Sequence, residues 1–311
     1  MGSFRTAPPF YLSVLLMSAS LVGSGLQAHE SPHDTIHRLT HKIEHASSNA
    51  ELYYARAIEY KSLGKATLAI ADFNKVLKLA PGHLNSTIAL ARLLTQQSKP
   101  DQGLKILQNA IKTCDDAEGK ARLLKASSDI HISQKHYPQA YTAIALALDH
   151  FPKASDDWFL QQSSSNLQLG ELKRRYQQLA IGFRRSGSAV LQNAWIDAKL
   201  DADESGDVKA LIQKQGADSR FVSSWDIRLA QTLKKEASER KNLLKAAIAE
   251  IDQRLNLDRP DVTLLIDRCY AYHLLDDEDQ AQENRQWLTE LKVQSFQLDW
   301  LDFKLKGTTD D

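Results

Sequence analysis

The chain has 311 residues, of which 39 are basic and 39 acidic, so its formal net charge is zero. It contains only 13 glycines and 8 prolines. A chain that is poor in turn residues and rich in helix formers argues against an all-β fold. The balanced charge argues against a general nucleic-acid binder, which carries a basic excess. The 42 % hydrophobic content excludes a wholly disordered chain.

The first 28 residues have the pattern of a secretory signal peptide. Arg5 supplies a positive charge, residues 10–26 form an apolar stretch, and Ala28 provides a small residue before a cleavage point. The stretch is diluted by serine and glycine and falls short of the ~20 apolar residues of a membrane span. We therefore expect an extracytoplasmic protein, periplasmic or secreted, with no stable membrane span after cleavage. An uncleaved N-terminal anchor is the alternative.

Residues 29–48 are rich in histidine and are predicted to form a leading helix. Ser31, Pro32 and Asp34 are typical of a helix start. Five histidines follow one another at intervals of four: His29, His33, His37, His41 and His45. Side chains four apart lie on one helix face, and paired imidazoles chelate zinc or copper. The stripe therefore predicts either a solvated polar face or a copper or zinc site; no other cofactor is expected.

A 34-residue repeat runs from residue 50 to residue 83. Residue 50 is taken as position 1. Small residues occupy positions 8 and 20 (Ala57 and Ala69), and bulky residues occupy positions 4, 11 and 24 (Tyr53, Tyr60 and Phe73). Position 15 is Gly64 and position 32 is Pro81. Small residues let two antiparallel helices approach closely, glycine suits a left-handed helix end, and proline stops a helix. The pattern resembles the tetratricopeptide repeat.

Further units follow the first. The second begins at Leu84 and has Gly103 at position 20, and the third begins near Ala121. The match weakens afterwards, and a last good unit begins near Val262, with Cys269 at position 8. Since a single hairpin cannot bury its apolar faces, stacked neighbours are needed. The resemblance implies an all-α, right-handed superhelical solenoid of antiparallel helix pairs, with about seven hairpins and capping helices.

The chain accordingly divides into six segments: a signal peptide at 1–28, the histidine-rich leading helix at 29–48, three clear units at 49–153, divergent hairpins at 154–261, the last unit with a capping helix at 262–306, and a polar tail at 307–311. Phe296, Trp300 and Phe303 predict that the capping helix is amphipathic and covers the last hairpin. The acidic stretch 201–207 is predicted to be a solvated loop. Cys114 and Cys269 are expected to be unpaired and mostly buried.

The resemblance implies a binding module that holds a peptide or partner protein in a concave groove lined by the first helix of each unit. In the family, groove residues commonly fall at positions 2, 5, 9, 12 and 13. This chain then offers apolar and charged candidates: Tyr54, Ile58, Lys61, Ile88, Arg92, Arg122, Lys125 and Asp129. Arginine pairs strongly with carboxylates, so the basic corner is a candidate site for an acidic motif.

No motif of nucleophilic, metalloprotease, phosphate-binding or redox catalysis is found in the sequence, so no enzymatic activity is predicted. Two alternatives to the scaffold remain. One is an extracytoplasmic metal-handling protein that uses the histidine stripe. The weaker one is an enzyme with an unrecognised site among residues 155–261.

Overall fold

A computed structural model describes residues 31–219, 222–256, 259–291, 293 and 295–306. Within these ranges, side chains are described for all residues except 218, 295–297, 299 and 306. The predicted signal peptide, His29 and the predicted tail lie outside the described part. The helices are α1 Pro32–His45, α2 Ala50–Ser62, α3 Ala66–Leu79, α4 Leu84–Gln96, α5 Pro100–Thr113, α6 Ala117–Ser133, α7 Tyr137–His150, α8 Asp156–Gln168, α9 Leu172–Ser186, α10 Ala189–Asp201, α11 Lys209–Asp218, α12 Val222–Gln231, α13 Ser238–Arg254, α14 Val262–Leu274, α15 Glu278–Glu290 and α16 Ser295–Lys306.

The described part of the chain is an all-α solenoid of seven successive helix pairs, α2–α3 to α14–α15, preceded by α1 and followed by α16. The first helix of one pair packs against the first helix of the next at α4–α6, α8–α10, α10–α12 and α12–α14. The second helices of neighbouring pairs make fewer contacts with one another. The array therefore curves with its first helices on the inner face. The pair α10–α11 is the loosest, because α10 lies chiefly against α9 and α11 against α12. No helix in the described ranges has the length and apolarity needed to span a membrane.

The leading helix begins where the sequence predicts. The Ser31 side chain accepts a 3.2 Å hydrogen bond from the backbone N–H of Asp34, which caps α1. Leu39 and Ile43 face the interior and are buried. The four described histidines of the stripe lie on the opposite, exposed face.

Positions 8 and 20 are the contact points within the hairpins. In the third unit Ser128 Oγ donates a 2.9 Å hydrogen bond to the carbonyl oxygen of Ala140, and in the last unit Cys269 Sγ donates to that of Ala281 at 3.1 Å. Such bonds require the helix backbones to lie close, as small residues allow. Burial raises the pKa of the Cys269 thiol to about 12. Both cysteines are free, but Cys114 is only half-buried.

The turn inside the hairpins repeats one backbone conformation at position 15. Gly64 and Gly170 have φ of 68° and 69° there. The equivalent residues of four other units are not glycine and still have φ between 56° and 62°: Ser98, Lys135, Asp203 and Asp276. The α12–α13 turn is the exception among the described residues. Gly206 lies in a short 3₁₀ turn after Asp203.

Helix α6 is longer than its repeat unit requires, and one prediction about exposure was wrong. Helix α6 begins at Ala117, one turn before the predicted start of the third unit near Ala121, because Asp116 caps it by accepting a hydrogen bond from the N–H of Gly119. The stretch 201–207 is not wholly a solvated loop, because the Asp201 carboxylate has no exposed surface. It is buried by ion pairs with Arg175 and Lys304.

The prediction for the closing helix needs correction. Helix α16 does pack on the last hairpin, but it also lies across the inner face and contacts α8. Its buried side chains are Leu298 and Leu301, whereas Trp300 and Phe303 are only half-buried. The Phe296 side chain lies outside the described part. A helix held between a hairpin and a concave surface is contacted on several sides, so one aromatic stripe does not identify its buried face.

Candidate functional site

Four successive first helices, α2, α4, α6 and α8, surround an open pocket of about 390 Å³ on the inner face. We refer to it as the N-terminal pocket. Its wall contains both aliphatic and aromatic side chains and four basic ones. The lining residues are Tyr54, Ile58, Lys61, Asn85, Ile88, Ala89, Arg92, Arg122, Lys125, Asp157 and Trp158.

Helical periodicity places these side chains on one face of each helix. On α2, Tyr54, Ile58 and Lys61 stand at i, i+4 and i+7, and on α6, Arg122 and Lys125 stand at i and i+3. Residues at these intervals share a helix face. The small residues at positions 8 and 20 hold the other face of each first helix against its second helix, so the groove face is left open.

Hydrogen bonds between α4 and α6 fix the basic wall. Arg92 contacts Asp129 Oδ2 at 3.0 Å, and Lys125 Nζ contacts the other oxygen of that carboxylate at 2.8 Å. Arg122 donates to the amide oxygen of Asn85 at 2.9 Å. One carboxylate therefore holds two cations, and the third cation is bound by a neutral group.

The pocket wall has more basic than acidic side chains even when these ion pairs are counted. Lys61 has no carboxylate within ion-pair distance in the described part of the chain, and Asp157 accepts a hydrogen bond from Ser155. Four basic side chains thus stand against the two acidic ones, Asp129 and Asp157. Since the whole chain has zero net charge, this excess is a local property of the pocket.

The apolar part of the pocket lies mainly on α2. Ile58 is 37 % exposed, which is high for an isoleucine. Tyr54 packs on Phe73 and on the ring of His83, with ring centroids 6.1 and 4.9 Å away. His83 in turn caps α4, since its Nδ1 accepts a 3.2 Å hydrogen bond from the N–H of Ser86. The aromatic wall is therefore fixed to the start of the second unit.

The structure brings the predicted groove residues together. Seven of the eight line the N-terminal pocket, and the eighth, Asp129, forms ion pairs with two of them, Arg92 and Lys125. Asp157 and Trp158 were not among the predicted site residues. With Gly170 at position 15 of the fourth unit, Asp157 falls at position 2, a groove position.

The histidine stripe forms a separate candidate site. His33, His37, His41 and His45 are all exposed along α1, and the rings of His41 and His45 are 4.8 Å apart between centroids. In the described ranges no three His, Cys, Asp or Glu side chains are grouped closely enough to hold a metal ion. The geometry therefore offers pairs of imidazoles rather than a closed coordination shell.

No family model matches the chain, and no curated protein matches it. The structure is similar to that of a tetratricopeptide repeat protein from Parabacteroides merdae, with 11 % identity, a TM-score of 0.55, and coverage of 83 % of this chain and 99 % of that one. Similarity is lower to MamA from Desulfovibrio magneticus, with 20 % identity, a TM-score of 0.42, and coverage of 51 % of this chain and 89 % of MamA. The similarity to YrrB is also lower, with 13 % identity, a TM-score of 0.42, and coverage of 57 % of this chain and 89 % of YrrB. YrrB is described as a tetratricopeptide repeat protein with an unusual peptide-binding site.

The most extensive of these similarities agrees with the features seen within the chain. The close contacts at positions 8 and 20 and the left-handed residue at position 15 recur from unit to unit. The chain has the fold of the tetratricopeptide repeat proteins.

Proposed function

We propose that this protein is a non-catalytic, extracytoplasmic scaffold that binds an acidic peptide segment of a partner protein in the N-terminal pocket. The observation that carries the proposal is the excess of basic side chains around an open pocket with exposed apolar groups. The fold supports a scaffold, since its first helices form a continuous concave surface. The pattern of residues 1–28 supports the extracytoplasmic location.

The charges favour an acidic ligand for a physical reason. A carboxylate that enters the pocket gains charge-assisted hydrogen bonds from Arg122 and Arg92, which together with Lys61 have donors to spare. A basic peptide would meet like charges and lose hydration without compensation. The basic wall therefore sets both the choice and the orientation of the ligand.

The apolar side chains supply the second part of recognition. Ile58 and Trp158 border the pocket from opposite ends, and Ile88 lies between them on α4. Burying an aliphatic or aromatic ligand side chain against such a surface contributes about 1.5–3 kcal/mol. A segment that combines carboxylates with one or two large apolar residues matches this surface best.

Fluorescence anisotropy with labelled peptides tests the proposal. The probes are a peptide of alternating glutamate and leucine, its lysine–leucine counterpart, and a glutamate–serine peptide without apolar residues. The account predicts that the glutamate–leucine peptide binds at least ten times more tightly than the others and that added salt weakens binding.

A pair of charge-reversal variants locates the interaction. Arg92→Glu with Arg122→Glu changes the pocket, whereas Lys105→Glu with Lys112→Glu makes the same change in charge on the exposed face of α5. Only the pocket variant is expected to lose binding. Equal loss in both variants would show that net charge rather than the pocket governs binding, and tighter binding of the lysine peptide would reverse the proposed partner chemistry.

A metal-handling role for the histidine stripe is the second candidate function. It is favoured by the exposed rings of His41 and His45, which stand one helical turn apart. Imidazoles at i and i+4 bind zinc and copper as a bidentate pair. Calorimetric titration with Zn²⁺ and Cu²⁺ tests this role, with His37→Ala, His41→Ala as the variant and His136→Ala, His150→Ala as the control. Binding that is unchanged in the stripe variant would refute it.

A further inference from the structure

Helix α16 occupies the inner face of the C-terminal half of the array, while the N-terminal half is open. It contacts α8 and α14, and its side chains reach Asp201 at the end of α10 and Gln231 at the end of α12. The helix therefore spans four first helices. Helix α8 belongs to both regions, because its Asp157 and Trp158 line the N-terminal pocket.

Among the described side chains of α16, those of Trp300 and Lys304 make polar contacts with this face. Trp300 Nε1 donates to Asp201 Oδ2 at 3.2 Å, and Lys304 Nζ forms an ion pair with the same carboxylate. Lys304 also donates to Gln231 Oε1 at 3.2 Å, which accepts a 3.0 Å hydrogen bond from the hydroxyl of Tyr270. We call these residues, with Arg175, the Asp201 cluster.

Aromatic contacts reinforce the polar ones. The rings of Trp300 and Tyr270 meet edge to face with centroids 5.0 Å apart. The ammonium group of Lys304 lies 5.1 Å from the Tyr270 ring centroid. Leu301, beside Trp300 on α16, has no exposed surface. The contacts thus combine an apolar anchor, an aromatic N–H donor and a cation, as a helix bound in a groove does.

The contacts of α16 with α15 are of a different kind. Arg285 on α15 pairs with both oxygens of Asp302, at 2.6 and 2.9 Å, on a part-buried surface. Along the chain, only residues 291–294 separate α15 from α16. Helix α16 is therefore tethered by a short connection and held in the groove mainly by its own side chains.

From this arrangement we propose that α16 is an exchangeable internal ligand and that the inner face from α8 to α14 is a second interaction surface. Its external ligand is a partner helix that carries an aromatic N–H donor and, four residues later, a lysine. This surface differs in chemistry from the N-terminal pocket, because its central polar group is the carboxylate of Asp201, which would keep only Arg175 as its partner on removal of α16. The proposal does not depend on the acidic-peptide function of that pocket.

The tether explains why an external helix is excluded from the wild-type protein. A short connection holds α16 at an effective concentration of about 1 mM at its site. A free helix at micromolar concentration competes only when the contacts of α16 are weakened. Trp300→Ala with Lys304→Ala removes those contacts from α16 and leaves Asp201, Gln231 and Tyr270 unchanged.

The test uses a labelled synthetic peptide of residues 295–306 and the full-length chain. We expect the Trp300→Ala, Lys304→Ala variant to bind this peptide at least ten times more tightly than the wild type does. A peptide that carries the same two substitutions is expected to bind the variant at least ten times more weakly than the native peptide. Absence of native-peptide binding to the variant, or equal binding to wild type and variant, would overturn the proposal.

Circular dichroism and thermal melting show whether the first variant folds. If it does not fold, a second variant is used. Arg285→Ala loosens α16 from α15 without altering the groove, and it is expected to increase peptide binding in the same direction. The glutamate–leucine peptide distinguishes the two sites, because its binding should be unaffected by Arg285→Ala. Conversely, Arg92→Glu with Arg122→Glu should leave binding of the 295–306 peptide unchanged.

Discussion

The indole N–H of Trp300 donates a 3.2 Å hydrogen bond to Asp201 Oδ2, which joins residues 99 positions apart in the sequence. The same carboxylate pairs with Arg175 and Lys304 and has no exposed surface. One acidic side chain therefore connects α9, α10 and α16. Its removal leaves two cations without their shared partner in a buried place.

We predict that Asp201→Asn destabilises the protein by about 3 kcal/mol, because breaking a buried ion pair leaves charge uncompensated. Asp203→Asn, two residues later on an exposed site, is the matched control and should change stability by less than about 0.5 kcal/mol. Urea denaturation of both variants measures the difference. Equal stability of the two would show that the Asp201 cluster does not hold the fold.

Gly103 allows the second hairpin to close. A Cβ atom at this residue would lie 2.7 Å from the carbonyl oxygen of Ala91, whereas one at Gly82 would meet nothing within 4 Å. We predict that Gly103→Ala costs about 1–3 kcal/mol through overpacking and that Gly82→Ala is close to neutral. Thermal melting compares the two variants. If they melt at the same temperature, the close approach of α4 and α5 is not required.

Lys135 is strained by its backbone conformation. Its φ is 58°, in the left-handed region that glycine adopts without cost. We predict that Lys135→Gly stabilises the protein by about 0.5–1 kcal/mol, because the exposed side chain has no packing to lose. Gln134→Gly, where φ is −96°, should instead destabilise. Chemical denaturation measures the free energy of unfolding of both variants. A loss of stability in both would contradict the prediction.

The folded environment of Asp267 disfavours the charged form of its carboxyl group. Burial raises the pKa of its carboxyl group, and the carboxylates of Asp197 and Asp261 act in the same direction, against Arg228 and the Ser224 hydroxyl. Because the pKa in the folded state is above that of the unfolded chain, the stability from this group is complete below about pH 3.8 and is lost as pH rises through the folded pKa.

Asp267→Asn should therefore raise the melting temperature at pH 7, and the gain should shrink as pH falls towards 4. The amide can still accept the hydrogen bond from Ser224. Melting curves across this pH range measure the effect, with Asp252→Asn, at a more exposed carboxylate, as the control. A gain that grows on acidification would have the wrong sign.

The sequence predicted those parts of the fold that depend on local residue types. Position 8 at Ser128 and Cys269 is small because its side chain must fit against the second helix, and this requirement is visible in one repeat. The left-handed turn was recognised at Gly64 but not at Lys135, because lysine carries no signal for that conformation.

The site was predictable where the repeat was clear and not where it faded. Tyr54, Arg92 and Lys125 could be placed on the inner face because their units had a definite register. Trp158 was missed as a lining residue because the fourth unit has Arg175 at the position where a small residue is expected. The location of α16 depends on its contact with Asp201, which no local pattern encodes.

The most direct measurement is hydrogen–deuterium exchange of the full-length protein with and without the glutamate–leucine peptide. The account predicts added protection in α2, α4 and α6, centred on the segments around Ile58, Ile88 and Lys125, and none in α3 or α5. Protection confined to the second helices, or none at peptide concentrations that saturate binding, would contradict the claim that the N-terminal pocket is the binding site.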